Sequence, residues 1–87
     1  MPVIARFYGI IIKMYFSQKE HGVPHFHAIY GEHNGVFRIS NLKMTEGDLP
    51  PRAQKLVREW GENYKVELSA IWRDQIFKTL PGLDELE

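Results

Sequence analysis

Gly22-Val23-Pro24-His25-Phe26-His27-Ala28-Ile29-Tyr30-Gly31 reads as one β-strand held between two breakers. Pro24 has no N–H to donate and can only begin a ladder, and Gly31 leads out into a turn, so residues 25–30 should be extended. Side chains alternate along a strand. His25, His27 and Ile29 therefore share one face, and Phe26, Ala28 and Tyr30 share the other. The second set has the composition of a core. The first presents two imidazoles one strand repeat apart, about 7 Å between Cα atoms, and a function should sit there.

Upstream, Val3 to Tyr8 is apolar except for Arg6, and Gly9 interrupts the run before Ile10-Ile11-Ile12-Lys13-Met14-Tyr15-Phe16. This predicts two strand segments, or one strand bent at Gly9. Ile10, Ile12, Met14 and Phe16 would face the core, with Ile11, Lys13 and Tyr15 opposite. Residues 17–22 form a polar loop into the histidine strand. Downstream, Asn34-Gly35 is the strongest hairpin signal in the chain, so Val36 to Ile39 should return antiparallel, with Phe37 and Ile39 inward and Arg38 outward. Leu42 to Thr45 adds a short further strand. Residues 1–45 thus predict an antiparallel meander of three to five strands, one face packed and the other displaying Lys13, Tyr15, His25, His27 and Arg38.

Pro50-Pro51 after Asp48 suits a helix entry, where a missing N–H costs nothing. Ala53, Leu56, Val57, Trp60 and Tyr64 recur at helical spacing, and Leu68, Ile71, Trp72 and Ile76 continue the stripe. An unbroken helix from Pro50 to Lys78 would be about 43 Å long, too long for so small a domain. Gly61 and Asn63 offer a stop and a new cap, so the expectation is two helices, roughly 50–62 and 64–79, packed on the apolar sheet face. The fold class is α+β. Pro81-Gly82 ends the helical half (50–79) and opens a short acidic tail (81–87), mobile from Leu83 to Glu87, with Leu83 and Leu86 as docking points for a partner.

At 87 residues, 1–87 is expected to be a single domain. Disulfides and thiolate metal sites are excluded, since the chain has no cysteine. The longest apolar run stops at Lys13, far short of a membrane span, and no basic-then-apolar leader opens the chain, so the expected location is the cytoplasm, away from any membrane. The zero net charge hides an asymmetry: residues 1–44 carry +3 and hold all four histidines, whereas residues 45–87 carry −3. An anionic ligand would find its partners in the first half.

Three readings of His25 and His27 stay open. Both could be solvent-facing strand residues with no special role. Both could bind a metal, with His21 or His33 completing the set, although a stable zinc site needs three or four ligands and no second compact pair supports one. Or the face performs metal-free, cofactor-free phosphodiester cleavage. Imidazole titrates near neutrality, so one ring can act as base and the other as acid. Lys13 or Arg38 would stabilise the charge gathering on phosphorus, and Tyr15 would stack on a base or donate a hydrogen bond.

Ile4-Ala5-Arg6-Phe7-Tyr8-Gly9-Ile10-Ile11-Ile12-Lys13-Met14-Tyr15-Phe16, Pro24-His25-Phe26-His27-Ala28-Ile29-Tyr30-Gly31 and Glu46-Gly47-Asp48-Leu49-Pro50 closely resemble the small bacterial family catalogued as domain of unknown function 4160. The resemblance runs to at least Trp72, and Gly61 departs from it where a better helix former is expected. It implies a gene neighbour of the domain of unknown function 2442 type and a toxin–antitoxin pair in which this chain is the toxin; no catalytic assignment comes with it. The expected function is therefore a type II toxin acting on RNA or translation, a candidate metal-independent ribonuclease, paired with a small antitoxin-like protein in a hetero-oligomer. The alternatives are a non-catalytic binding module, as antitoxin or DNA-binding regulator, and a histidine-based metal sensor. Against a recognition helix, Arg52, Lys55, Arg58 and Lys65 are interleaved with Glu59 and Glu62.

Overall fold

Alternating apolar strands that share one buried face need a second layer to cover it, and a single amphipathic helix supplies that layer here. The computed structural model describes residues 3–14, 24–74, 76 and 78–83. The elements are β1 (Val3–Phe7), β2 (Ile10–Lys13), β3 (His25–Tyr30), β4 (His33–Arg38), β5 (Met44–Gly47) and α1 (Pro51–Asp74). The strands form a five-stranded sheet in the order β1-β2-β3-β4-β5, every neighbour antiparallel. The α+β class and the meander stand as expected, at the upper end of the strand range.

Two turns define the registers. Gly9 does not bend one long strand: Tyr8 and Gly9, at φ 49 and 79, close a two-residue turn that pairs Phe7 with Ile10. Positive φ at both central residues gives the backbone twist that antiparallel strands need. The second turn corrects an expectation. It falls at Gly31-Glu32, with Gly31 at φ 60 and Tyr30 paired to His33, while Asn34-Gly35 lies inside β4. A turn at Asn34-Gly35 would have set Phe37 across from Glu32. The observed register sets it across from Phe26, with the two rings stacked at 5.6 Å, so core pairing overrides the local turn preference. Gly35 is buried, and a Cβ there would stand 2.7 Å from the Met44 sulfur.

The helical half also differs from expectation. One helix runs from Pro51 to Asp74 in place of separate helices over 50–62 and 64–79, but Tyr64 is non-helical (φ −122, ψ 21), so the helix's two segments meet at a kink where the break was expected, and the second ends at Asp74. Gly61 is not a stop. It is buried within α1, where a Cβ would meet Leu42 at 2.7 Å, so its role is close approach to the sheet layer. Because the helix ends at Asp74 and not near residue 79, its length is about 36 Å at 1.5 Å per residue, within the 38 Å long axis of the molecule. Its buried face, including Ala53, Val57, Trp60, Leu68 and Ile71, packs with Ile4, Phe7, Ile10, Ile12, Phe26 and Phe37.

The chain after α1 returns to the sheet. Leu80 N–H donates to the Ile4 carbonyl at 2.8 Å, the Trp60 indole donates to the Pro81 carbonyl at 2.8 Å, and Leu83 packs on the core. Pro81 to Leu83 is therefore docked along β1, contrary to the expectation of mobility at Leu83; residues 84–87, including Leu86, lie outside the described residues. Among the described residues, no helix is long and apolar enough to cross a membrane.

Candidate functional site

The sheet face opposite Phe26 and Ala28 carries Lys13, His25, His27 and Arg38, and the end of α1 reaches it at His25. Along β3, Phe26 and Ala28 are fully buried while His25, His27 and Ile29 are half-buried, the alternation that a one-sided sheet imposes. Residues paired across an antiparallel ladder have Cβ atoms about 4.5–5.5 Å apart on a common face. His27 is paired with Lys13 of β2 and with Val36 of β4, and His25 is paired with Arg38. Each imidazole thus has a cationic side chain beside it. Ile11 pairs with Ile29 in the next row, so the cations and histidines adjoin a small apolar strip.

The two imidazole rings lie 5.3 Å apart in an edge arrangement. Trp72, from the last turn of α1, also lies against His25, at 5.0 Å and tilted by 53°. Helical spacing places Trp72 in the apolar stripe and does not show its contact with the histidines. The available signal was local: Ile71 and Trp72 are adjacent, and a turn of about 100° per residue prevents both from pointing at the same core. Ile71 is buried and Trp72 is half-buried, accordingly.

Tyr15 and His21 lie outside the described residues. His33 is at the other end of the hairpin and is engaged elsewhere. Its Nδ1 is 3.2 Å from Asp48 Oδ2, and Asp48 Oδ1 accepts the Asn34 N–H at 3.1 Å. The Asn34 amide first, and the His33 ring second, hold the Asp48 carboxyl below its ordinary value. This clasp closes the β3–β4 turn against the end of β5, and it does not bring His33 in as a third ligand for His25 and His27. Among the described residues, no three His, Cys, Asp or Glu side chains converge as a metal site.

A shallow depression of about 310 Å³ extends from His27 and Ile29 to the turn at Gly31-Glu32 and to His33 and Asn34 beyond it. Another hollow, about 250 Å³, lies by the start of α1 between Tyr8, Tyr30, Arg52 and Leu56, and no histidine lines it. The depression beside His27 and Ile29 is shallow, suited to an extended ligand laid across strands.

No curated protein and no solved structure matches the chain. Its likeness is to a family: residues 9–73, which span β2 to the last turn of α1 and so contain Lys13, His25, His27, Arg38 and Trp72, match the model described as Domain of unknown function (DUF4160), and the chain belongs to that family.

Proposed function

We propose that this protein is the toxin of a bacterial type II toxin–antitoxin pair and that it acts on RNA through the His25/His27 face. One observation carries the chemistry: the strand register sets Lys13 beside His27 and Arg38 beside His25, all on the sheet face opposite Phe26 and Ala28. Transfer of an RNA 2′-oxygen to phosphorus needs a base, an acid and a cation. One imidazole takes the 2′-hydroxyl proton as its oxygen attacks phosphorus. The bond from phosphorus to the 5′-oxygen breaks, the other imidazole protonates that oxygen, and a cyclic phosphate is left. Lys13 and Arg38 neutralise the negative charge that builds on the phosphoryl oxygens between these events. The pairing with a small antitoxin of the domain of unknown function 2442 type follows from the family resemblance.

The deciding experiment is bacterial growth after induction of this chain alone, compared with a His25→Ala/His27→Ala variant at equal soluble level. The native protein should arrest growth and the variant should not, after which cleavage of RNA is assayed directly. Arrest by both would keep the toxin and discard the histidine mechanism. Normal growth with both would favour the non-catalytic binding module.

A further inference from the structure

The two tryptophans of α1 occupy different worlds. Trp60 is fully buried, stacks on Phe7 and donates its indole N–H to the Pro81 carbonyl. Trp72 is half-buried, packs partly on the core and lies against His25 at 5.0 Å, and the His25 and His27 rings are 5.3 Å apart. An indole and two imidazoles therefore cluster, with His25 against both of the others. Lys13 and Arg38 stand beside the two histidines of that cluster. Past His27, half-buried Ile29 and the depression toward Gly31 and Asn34 continue the surface as a shallow track.

Flat rings with cations at their sides match an unpaired nucleotide strand. Each base offers a π-face for stacking whatever its identity, and each phosphate offers a charge to neutralise. A duplex keeps its base faces internal and gains nothing from the indole. We infer that Trp72 is a base-stacking platform, which seats one unpaired nucleobase beside the His25–His27 pair and makes single-stranded RNA the ligand of this face. The choice of RNA rests on the proposed function; the stacking residue and the single-stranded form are new.

The probe is a short oligouridylate with 2′-O-methyl sugars, which lacks the attacking hydroxyl and stays intact. Added to the native protein, it should quench part of the tryptophan fluorescence, because Trp72 is partly exposed and Trp60 is fully buried. Trp72→Leu should bind the labelled probe about ten- to a hundredfold more weakly by anisotropy, the loss expected for one base–aromatic stack. Trp72→Phe keeps a ring, so it should bind within about threefold of native while its remaining tryptophan shows no quenching; it carries the decision if the leucine variant does not fold. A duplex of equal length should bind at least about tenfold more weakly than the single strand.

Failure of the native protein to bind the probe overturns the inference, as does native affinity in a folded Trp72→Leu. Full quenching in Trp72→Phe, or a duplex bound as tightly as the single strand, overturns it too. Cleavage of unmodified RNA is read separately. Probe binding through Trp72 without cleavage would leave the platform standing and remove the nuclease, whereas cleavage with unaltered Trp72→Leu binding would do the reverse.

Discussion

Gly61→Ala adds one methyl group in the middle of α1, and on an open helix surface that change would gain about 1 kcal/mol. Here the new Cβ stands 2.7 and 3.2 Å from the two terminal carbons of Leu42, inside the contact distance of about 3.5–4.0 Å. Leu42 has little room to retreat. Its side chain is 1% exposed, its N–H is held by the Arg38 carbonyl at 2.8 Å, and its backbone sits at φ 58. Overpacking of this kind costs about 1–3 kcal/mol, so the net effect should be a loss of about 1 kcal/mol, or about 4–8 °C in Tm for a domain of this size. The sign should reverse once Leu42 is cut back. Leu42→Ala alone should cost about 2–5 kcal/mol, and in that background Gly61→Ala meets open space and recovers the helix gain, so the two changes couple by about 2 kcal/mol. The assay is urea unfolding of all four proteins at constant m, with a stabilising osmolyte in every sample because the leucine truncation consumes much of a small domain's stability. If Gly61→Ala raises the midpoint with Leu42 intact, or acts with one sign in both backgrounds, then Gly61 is not where helix and sheet layer close up.

Arg38→Ala should lower RNA cleavage by about 10²–10³-fold, and Lys13→Ala comparably, while Ser40→Ala, on an exposed neighbour, should leave it unchanged; equal activity in all three would disconnect the cations from the chemistry. Asp48 titrates below its ordinary 3.8 because the folded chain favours the carboxylate, so it adds stability that is present above that value and is lost as pH falls through the folded one. The urea midpoint of Asp48→Asn should therefore fall less steeply on the acid side than that of the native protein, and parallel curves would refute the clasp. Trp60→Phe removes the donor to the Pro81 carbonyl, a bond worth about 1 kcal/mol, and should speed exchange of the Leu80 amide that bonds Ile4; unchanged exchange would show that the indole does not hold the returning chain.

The faces of the strands were legible in the sequence because they depend on alternation alone. Phe26 and Ala28 point inward, His25 and His27 outward, and Arg38 lies opposite Phe37 and Ile39 whatever the turns do. Which residues meet across the ladder was not legible, because that depends on register. A turn at Asn34-Gly35 would have put Arg38 across from Gly31 and His25 across from Met44. The turn at Gly31-Glu32 moves the strand so that Arg38 faces His25. Both arrangements keep every side chain on its own face, and only the second assembles the site. What selects it is the pairing of Phe26 with Phe37 and of Ala28 with Gly35, the last leaving space for Met44. Trp72 obeys the same logic one layer away. Gly61 read in isolation is a helix breaker, but its missing side chain lets α1 settle on Leu42 and continue to Trp72 at His25. Both glycines look locally like places where an element should end, and both instead permit a close approach that positions the neighbours of the histidines. A change that restores the local rule at either one, by adding a Cβ, should therefore disturb the histidine face without touching any residue on it.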